Sequence, residues 1–302
     1  MRRRARGITG LLLALMLLGA ACGDSSDPTT TTPAAAATTT AAPANSVATV
    51  DINAVAASYV SGIPEGWLAV SNITALKDAT SVGAFLIDVR ETSEFAGGHI
   101  EGAINIPLRE LGANLDKIPT DRQVFVYCSS GYRAALAGSS LQMLGYDNVL
   151  IFSPGWKGWV AAEEPVSTDP VVAETFAVPD FAPELVSAVD TFLSGIPEGF
   201  MSAGDVPKVR EAIDAGVFLL DLRTPEEYEA GHLPGAVNLS LRELTGGLDM
   251  IPTDNSVIVY CGSGHRAALA APVLHMLGFD NSKVFTGSYK AWTDAGEEIV
   301  TN

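Results

Sequence analysis

The chain is written twice. Positions 61–66 read Ser-Gly-Ile-Pro-Glu-Gly and recur unchanged at 194–199, and Ile118, Pro119, Thr120 and Asp121 recur as Ile251, Pro252, Thr253 and Asp254. The offset is 133 positions each time, as it is for Cys128 and Cys261, His99 and His232, and Trp159 and Trp292. No gap is needed from about residue 51 to the end of the sequence. A period this long is a whole domain rather than one turn of a solenoid, so the sequence demands two copies of one architecture. The join carries Pro165, Pro170, Pro179 and Pro183 and reads as a stiff linker. The expected organisation is a first domain over 51–165, a linker over 166–183 and a second domain over 184–302.

Each copy alternates short apolar runs with helical patterns. Residues 51–61 and 183–194 read as amphipathic leading helices. Residues 84–88 and 217–221 are continuous apolar runs ending in aspartate, and 91–96 and 225–230 read as one or two helical turns, with Pro225 suited to a first helical position. A further short strand follows, then an apolar strand ending in Cys128 or Cys261. Next comes a helix closing near Gly145 or Gly278, where glycine suits the left-handed position after the last turn. A last strand covers 149–152 and 284–285. Fully apolar strands alternating with helices predict an α/β fold with a mainly parallel sheet covered on both faces. Ligands of such sheets bind beyond the carboxyl ends of the strands, which is where both cysteines fall.

Those cysteines carry the chemistry. Cys128, Ser129, Ser130, Gly131, Tyr132 and Arg133 form one loop; Cys261, Gly262, Ser263, Gly264, His265 and Arg266 form the other. A thiolate is the reactive form of cysteine, and each loop is built to favour an anion. It feeds a helix whose first N–H groups lack partners. Gly131 and Gly264 permit a turn that points several N–H groups inward. Arg133 and Arg266 add fixed positive charge on a planar donor fork. A buried strand-end cysteine of no chemical consequence is the plain alternative, and it would not require the same spacing twice. A disulfide between the two is the other alternative, and it would need the two loops to face each other.

With these residues in view, each copy resembles a rhodanese domain over essentially its whole length. The matching pieces in the first copy are Ile87, Asp88, Val89 and Arg90, then Glu94 and Phe95, then positions 98–105, then Cys128 to Arg133. In the second copy they are Leu220, Asp221, Leu222 and Arg223, then Glu227 and Tyr228, then 231–238, then Cys261 to Arg266. Gly155 with Trp159 and Gly287 with Trp292 also fit. The resemblance implies two tandem rhodanese-like domains and sulfur transfer by a cysteine persulfide, without cofactor or metal. Cys128 and Cys261 would be nucleophiles, Arg133 and Arg266 would bind the anionic end of a small sulfur donor, and Ser129 to Tyr132 and Gly262 to His265 would cradle the sulfur. A thiophilic acceptor, a protein among the candidates, would remove it. Asp88 and Arg90, with Asp221 and Arg223, are expected to brace the sheet, His99 and His232 to orient backbone, and Trp156, Trp159 and Trp292 to pack. His265, where the first copy has Tyr132, is expected to place an imidazole beside Cys261 and so give the two loops different pH optima.

Phosphatases and arsenate reductases of this fold separate cysteine and arginine by five residues; here four intervene, which favours sulfur over a tetrahedral oxyanion. A non-catalytic sensor or docking module is a third reading.

The N-terminus points to export. Arg2, Arg3, Arg4 and Arg6 precede an apolar run over 8–21, short for a bilayer span and suited to a signal-peptide core. Gly19, Ala20, Ala21 and Cys22 resemble a bacterial lipobox, which would make Cys22 a lipidated first residue over a signal at 1–22. Residues 23–50 are rich in Thr, Ala and Pro and suit a disordered tether. The expected location is therefore the outer face of a bacterial cell membrane, in a periplasm or at a cell surface. A formal net charge of −17 argues against a nucleic-acid partner.

Overall fold

The computed structural model describes residues 50–63, 71–199 and 201–301; the signal-like segment, Cys22 and all but the last residue of the tether lie outside the described residues. The strands are β1 (Phe85–Asp88), β2 (His99–Ile100), β3 (Ile104–Asn105), β4 (Val124–Tyr127), β5 (Val149–Ile151), β6 (Val166–Ser167), β7 (Phe218–Asp221), β8 (Ala236–Asn238), β9 (Val257–Tyr260) and β10 (Ser282–Val284). The helices are α1 (Ile52–Gly62), α2 (Ile73–Ser81), α3 (Thr92–Ala96), α4 (Tyr132–Leu144), α5 (Gly155–Ala161), α6 (Pro183–Ser194), α7 (Val206–Asp214), α8 (Pro225–Glu229), α9 (His265–Met276) and α10 (Ser288–Asp294).

Each copy holds a four-stranded sheet, β3-β1-β4-β5 in the first and β8-β7-β9-β10 in the second, with every pairing parallel. Phe85 pairs with Val124 and Phe218 with Val257, so even the register repeats. All four residues of β4 and of β9 are buried, as a parallel strand covered on both faces requires. The 166–183 linker begins as structure rather than spacer: β6 pairs antiparallel with β2, and Phe176 sets its ring edge-on against Phe85.

Period-two alternation sorts the strand side chains into separate cores. Leu86, Phe125 and Tyr127 point to one face of the first sheet, and Leu219, Ile258 and Tyr260 to the same face of the second; each set closes its own small core. Ile87, Val124 and Val126 point the other way, and there they join Leu220, Val257 and Val259 in one core that runs through both copies. Helices α4 and α9 pack together inside it, close enough for Ser139 Oγ to donate to the Leu269 carbonyl at 2.9 Å. Short side chains suit that approach: Ala134, Ala135 and Ala137 of α4 and Ala267, Ala268 and Ala270 of α9 are all buried in the same core.

The leading helices cross over. Helix α1 packs on the 3-10 turn Leu241–Gly246 of the second copy, and α6 packs on Leu108–Glu110 and Gly112–Lys117 of the first. Arg242 Nε donates to the Ile63 carbonyl at 2.8 Å, and its counterpart Arg109 donates to the Ile196 carbonyl at 2.7 Å. Each copy therefore borrows its covering helix from the other, and Ala48–Asn302 is one compact unit. Among the described residues no helix is long and apolar enough to cross a membrane.

Candidate active site

Cys128 directly follows β4 and Cys261 directly follows β9, so each cysteine sits at the carboxyl end of a central strand. Each loop ends in a glycine at the cap of the next helix, Gly131 at φ +89° and Gly264 at φ +90°. That conformation strains any side-chain-bearing residue. The loop carbonyls turn outward, where α5 and α10 take them: Trp156 N donates to Cys128 O at 2.7 Å and Tyr289 N to Cys261 O at 2.9 Å. In the second loop Gly264 N donates to Cys261 Sγ at 3.1 Å. Both thiols are buried and neither is in a disulfide.

The arginines are held, not loose. Arg133 meets both carboxylate oxygens of Glu94 at 2.6 and 2.8 Å, and Arg266 meets both of Glu227 at 2.6 and 2.7 Å. The two glutamates stand at the third position of α3 and α8, fixed there by capping boxes with Glu91 and Thr224. The guanidinium holds the Glu94 carboxyl below the usual carboxylate range and draws Glu227 down to about 2. Burial works against the Arg133 charge, but Glu94 and then Cys128 outweigh it and its pKa rises; Arg266 behaves alike with Glu227 and Cys261. Each site thus brings a glutamate and a sulfur to one arginine. Neither glutamate was singled out as a site residue from the sequence, although both lie in the Glu-aromatic motif of the resemblance.

Asp88 and Arg90 form a buried bidentate pair, and Arg90 also donates to the Gly98 carbonyl at 2.7 Å. Asp221 and Arg223 do the same with Gly231. His99 and His232 face Phe95 O and Tyr228 O through Nδ1, and their rings stack on those same aromatic residues. Trp159 and Trp292 are buried in the outer cores.

Three placements differ from the sequence reading. The residue one repeat on from Gly155 is Ser288, not Gly287; both take a left-handed backbone, φ +58° and φ +51°. Ser288 is fully buried, and its hydroxyl accepts from Cys261 N at 3.1 Å and lies 4.0 Å from Cys261 Sγ. Second, the two loops do face each other, yet the space between them is filled by side chains and the cysteines stay free. Third, His265 does not simply lie over its own thiol. As the first residue of α9 its ring projects to the first loop, where a Cβ on Gly131 would come within 2.6 Å of its Nε2. Tyr132 projects the opposite way, its one hydroxyl hydrogen shared between Thr286 O at 2.6 Å and Ser263 O at 3.0 Å. The two rings stack with centroids 5.1 Å apart. Burial pulls the His265 pKa below its usual value and pushes that of Tyr132 up.

Among the described residues no cluster of His, Cys, Asp and Glu could hold a metal ion. A cavity of about 720 Å³ lined by Phe192, Ile196, Met201, His275 and Ser282 lies at the amino end of β10, away from both loops.

Comparison with known proteins sorts these features. The rhodanese-like domain family matches residues 72–162 and again 205–295, well over half of the chain. The Bacillus subtilis protein YqhL is 43% identical over 76 residues, 25% of this chain and 60% of its own length. A Haloferax volcanii protein that carries the proposed name of thiosulfate sulfurtransferase is 28% identical over 208 residues, 58% of this chain and 67% of its own. The Escherichia coli 3-mercaptopyruvate sulfotransferase structure shares 22% identity at a TM-score of 0.36, covering 72% of this chain and 97% of that one. The chain belongs to the rhodanese-like domain family, and it carries that domain twice.

Proposed function

We propose that the chain is a sulfurtransferase that carries sulfane sulfur on Cys128 and Cys261. The observation that supports it most is the Gly264 N–H aimed at Cys261 Sγ at 3.1 Å from a glycine-capped helix start. Such a loop stabilises negative charge on sulfur. The name of the Haloferax volcanii relative points the same way. With thiosulfate as donor, the cysteine thiolate attacks the outer sulfur, the donor's S–S bond breaks, and sulfite leaves with the bonding pair. Cyanide or another thiophile then attacks the outer sulfur of the persulfide, thiocyanate leaves, and the thiolate returns. This is two-step covalent catalysis. Each arginine is already paired with a glutamate, so the loop N–H groups carry most of the anion binding and the arginine orients the donor's charged end. The acceptor is a small thiophile or a protein thiol.

Thiocyanate formation by the chain, and by Cys128→Ser, Cys261→Ser and the double variant, tests the reading. Each single variant is expected to retain activity and the double to lose it. Phosphate-ester hydrolysis with no thiocyanate formed would overturn it in favour of a phosphatase. Function unaffected in the double variant would favour a docking module. We further propose, from residues 1–50 alone, that the chain is exported and lipidated at Cys22. Cys22→Ala should then move the protein from the membrane fraction to the soluble one, and no shift would sink that part.

A further inference from the structure

Tyr132 and His265 occupy equivalent positions, as do Ser130 and Ser263, each pair one repeat apart. The single hydroxyl hydrogen of Tyr132 is shared between the Thr286 carbonyl at 2.6 Å and the Ser263 carbonyl at 3.0 Å. That carbonyl and the Gly264 N–H belong to one peptide group, and it is this N–H that donates to Cys261 Sγ at 3.1 Å. A hydrogen bond on the carbonyl fixes the plane of the peptide and polarises it, which strengthens the N–H as a donor. A hydroxyl of the first copy thus acts, through one peptide, on the sulfur of the second.

The reverse reach is also built. The ring of His265 lies over Gly131 and faces the Ser130 backbone, and Nε2 is buried without a partner of good geometry. Its Nδ1 lies 3.2 Å from Ser263 Oγ. When that hydroxyl donates to Nδ1, the ring hydrogen sits on Nε2 and points toward the Ser130 peptide, the counterpart of the one Tyr132 holds. Gly131 is needed here, because a side chain would displace the imidazole.

We propose that the two sites are set crosswise: Tyr132 of the first loop positions the peptide that holds the Cys261 sulfur, and His265 of the second loop positions the equivalent peptide of the first loop, between Ser130 and Gly131, in the Cys128 site. The inference rests on the sulfurtransferase reading for what the sulfurs carry. Both residues are positioning residues, acting through a peptide group rather than on the donor. They are not equivalent donors. A phenol stays neutral across the physiological range, whereas an imidazole gains charge in acid and then becomes a stronger donor. Reactivity at Cys128 should therefore change with acidification in a way that Cys261 does not share.

The test compares Tyr132→Phe, His265→Phe and His265→Tyr in the full chain, each keeping a ring in the stack. Iodoacetamide alkylation of Cys128 and Cys261 is followed by peptide mass spectrometry across the neutral and mildly acidic range. The readout is the ratio of the two rates, which a general loss of stability moves little. Losing one hydrogen bond predicts that the Cys261-to-Cys128 ratio falls about 3–10-fold in Tyr132→Phe and rises by a similar factor in His265→Phe. His265→Tyr should return it toward the parent value and flatten its pH dependence. Movement in the same direction in both Phe variants, movement in the reversed directions, or a ratio within about two-fold of the parent in either would overturn the proposal. Alkylation reports on the thiols whether or not sulfur is transferred. A parent chain that makes no thiocyanate would therefore remove the sulfurtransferase reading and leave the crosswise one to stand or fall on the ratios.

Discussion

Ser288 holds the left-handed backbone of Gly155, φ +51° against φ +58°, and puts a hydroxyl where the first copy has no side chain. In the first copy the conformation is free of strain and a Cβ would press on the Cys128 carbonyl. In the second copy the strain is retained, and the hydroxyl meets Cys261 N and the Phe285 carbonyl at 3.1 and 2.7 Å. Backbone strain of this kind costs about 1–3 kcal/mol and persists only where the surroundings enforce it.

Substitution at Ser288 separates strain from chemistry. Ser288→Ala keeps the strained backbone and deletes the hydroxyl, whereas Ser288→Gly deletes both. Urea unfolding should find the glycine variant more stable than the alanine variant by about 1 kcal/mol. Both should slow sulfur loading at Cys261 several-fold when measured in a Cys128→Ser background. Equal stability of the two variants would count against a strained serine.

The buried pair of Asp88 and Arg90 is a different kind of constraint. Its side chains are 0% and 3% exposed, and Arg90 also ties down the Gly98 carbonyl. Asp88→Asn leaves a buried guanidinium without its counter-charge, so a loss of about 3–5 kcal/mol is expected by chemical denaturation. The double variant Asp88→Leu with Arg90→Met should recover a large part of it, because the charge is then gone as well. A single variant costing under about 1 kcal/mol would show that water reaches the pair.

Acid should reach Glu227 only after ordinary carboxylates are already protonated. Its pKa of about 2 lies below the ordinary 4.5 because Arg266 binds its carboxylate. A depressed carboxyl stabilises the fold above its unfolded value, and that contribution is lost as pH falls through the folded value. The window is therefore from about 4.5 down to about 2. Glu227→Gln should lower stability at neutral pH and flatten the acid limb of a melting-temperature profile in that window. It should also slow loading at Cys261, since Arg266 loses its two-point anchor. A profile parallel to the parent's would argue that the pair is too solvated to matter.

His265 works at milder pH. Burial lowers its folded pKa below the ordinary 6.5, so the unfolded chain takes up the proton first. The sign is fixed by that order. Stability from this group is whole above about 6.5 and falls as the solution is acidified toward the folded value. His265→Phe should remove this slope between neutral and mildly acid pH. Melting temperatures that fall equally in parent and variant would assign the slope to other groups.

Much of the architecture was legible because it depends on local pattern. Continuous apolar strands ending in aspartate or cysteine, helix starts at Pro183 and Pro225 and the two loop glycines all depend on near neighbours in the sequence. The 133-position repeat then required whatever held for one copy to hold for the other, and β1 through β5 recur as β7 through β10 with one short edge strand reduced to a bridge between His232 and Val300. The cysteines at the carboxyl ends of the central strands follow from the same reasoning.

What the tertiary structure decided is everything between the copies. A repeat in sequence says that two units are alike, not that they share a core, because which apolar face meets which is a long-range matter. The crossing of α1 and α6, the single core through α4 and α9, and the projection of Tyr132 and His265 into each other's loops all depend on residues far apart in the sequence. So does the glutamate behind each arginine, 39 positions upstream. The sequence by itself determined two equivalent cysteine loops, each between a buried strand and a helix. Their mutual facing, and so the dependence of each sulfur on a side chain of the other copy, came only from the packing of two twofold-like halves around one core.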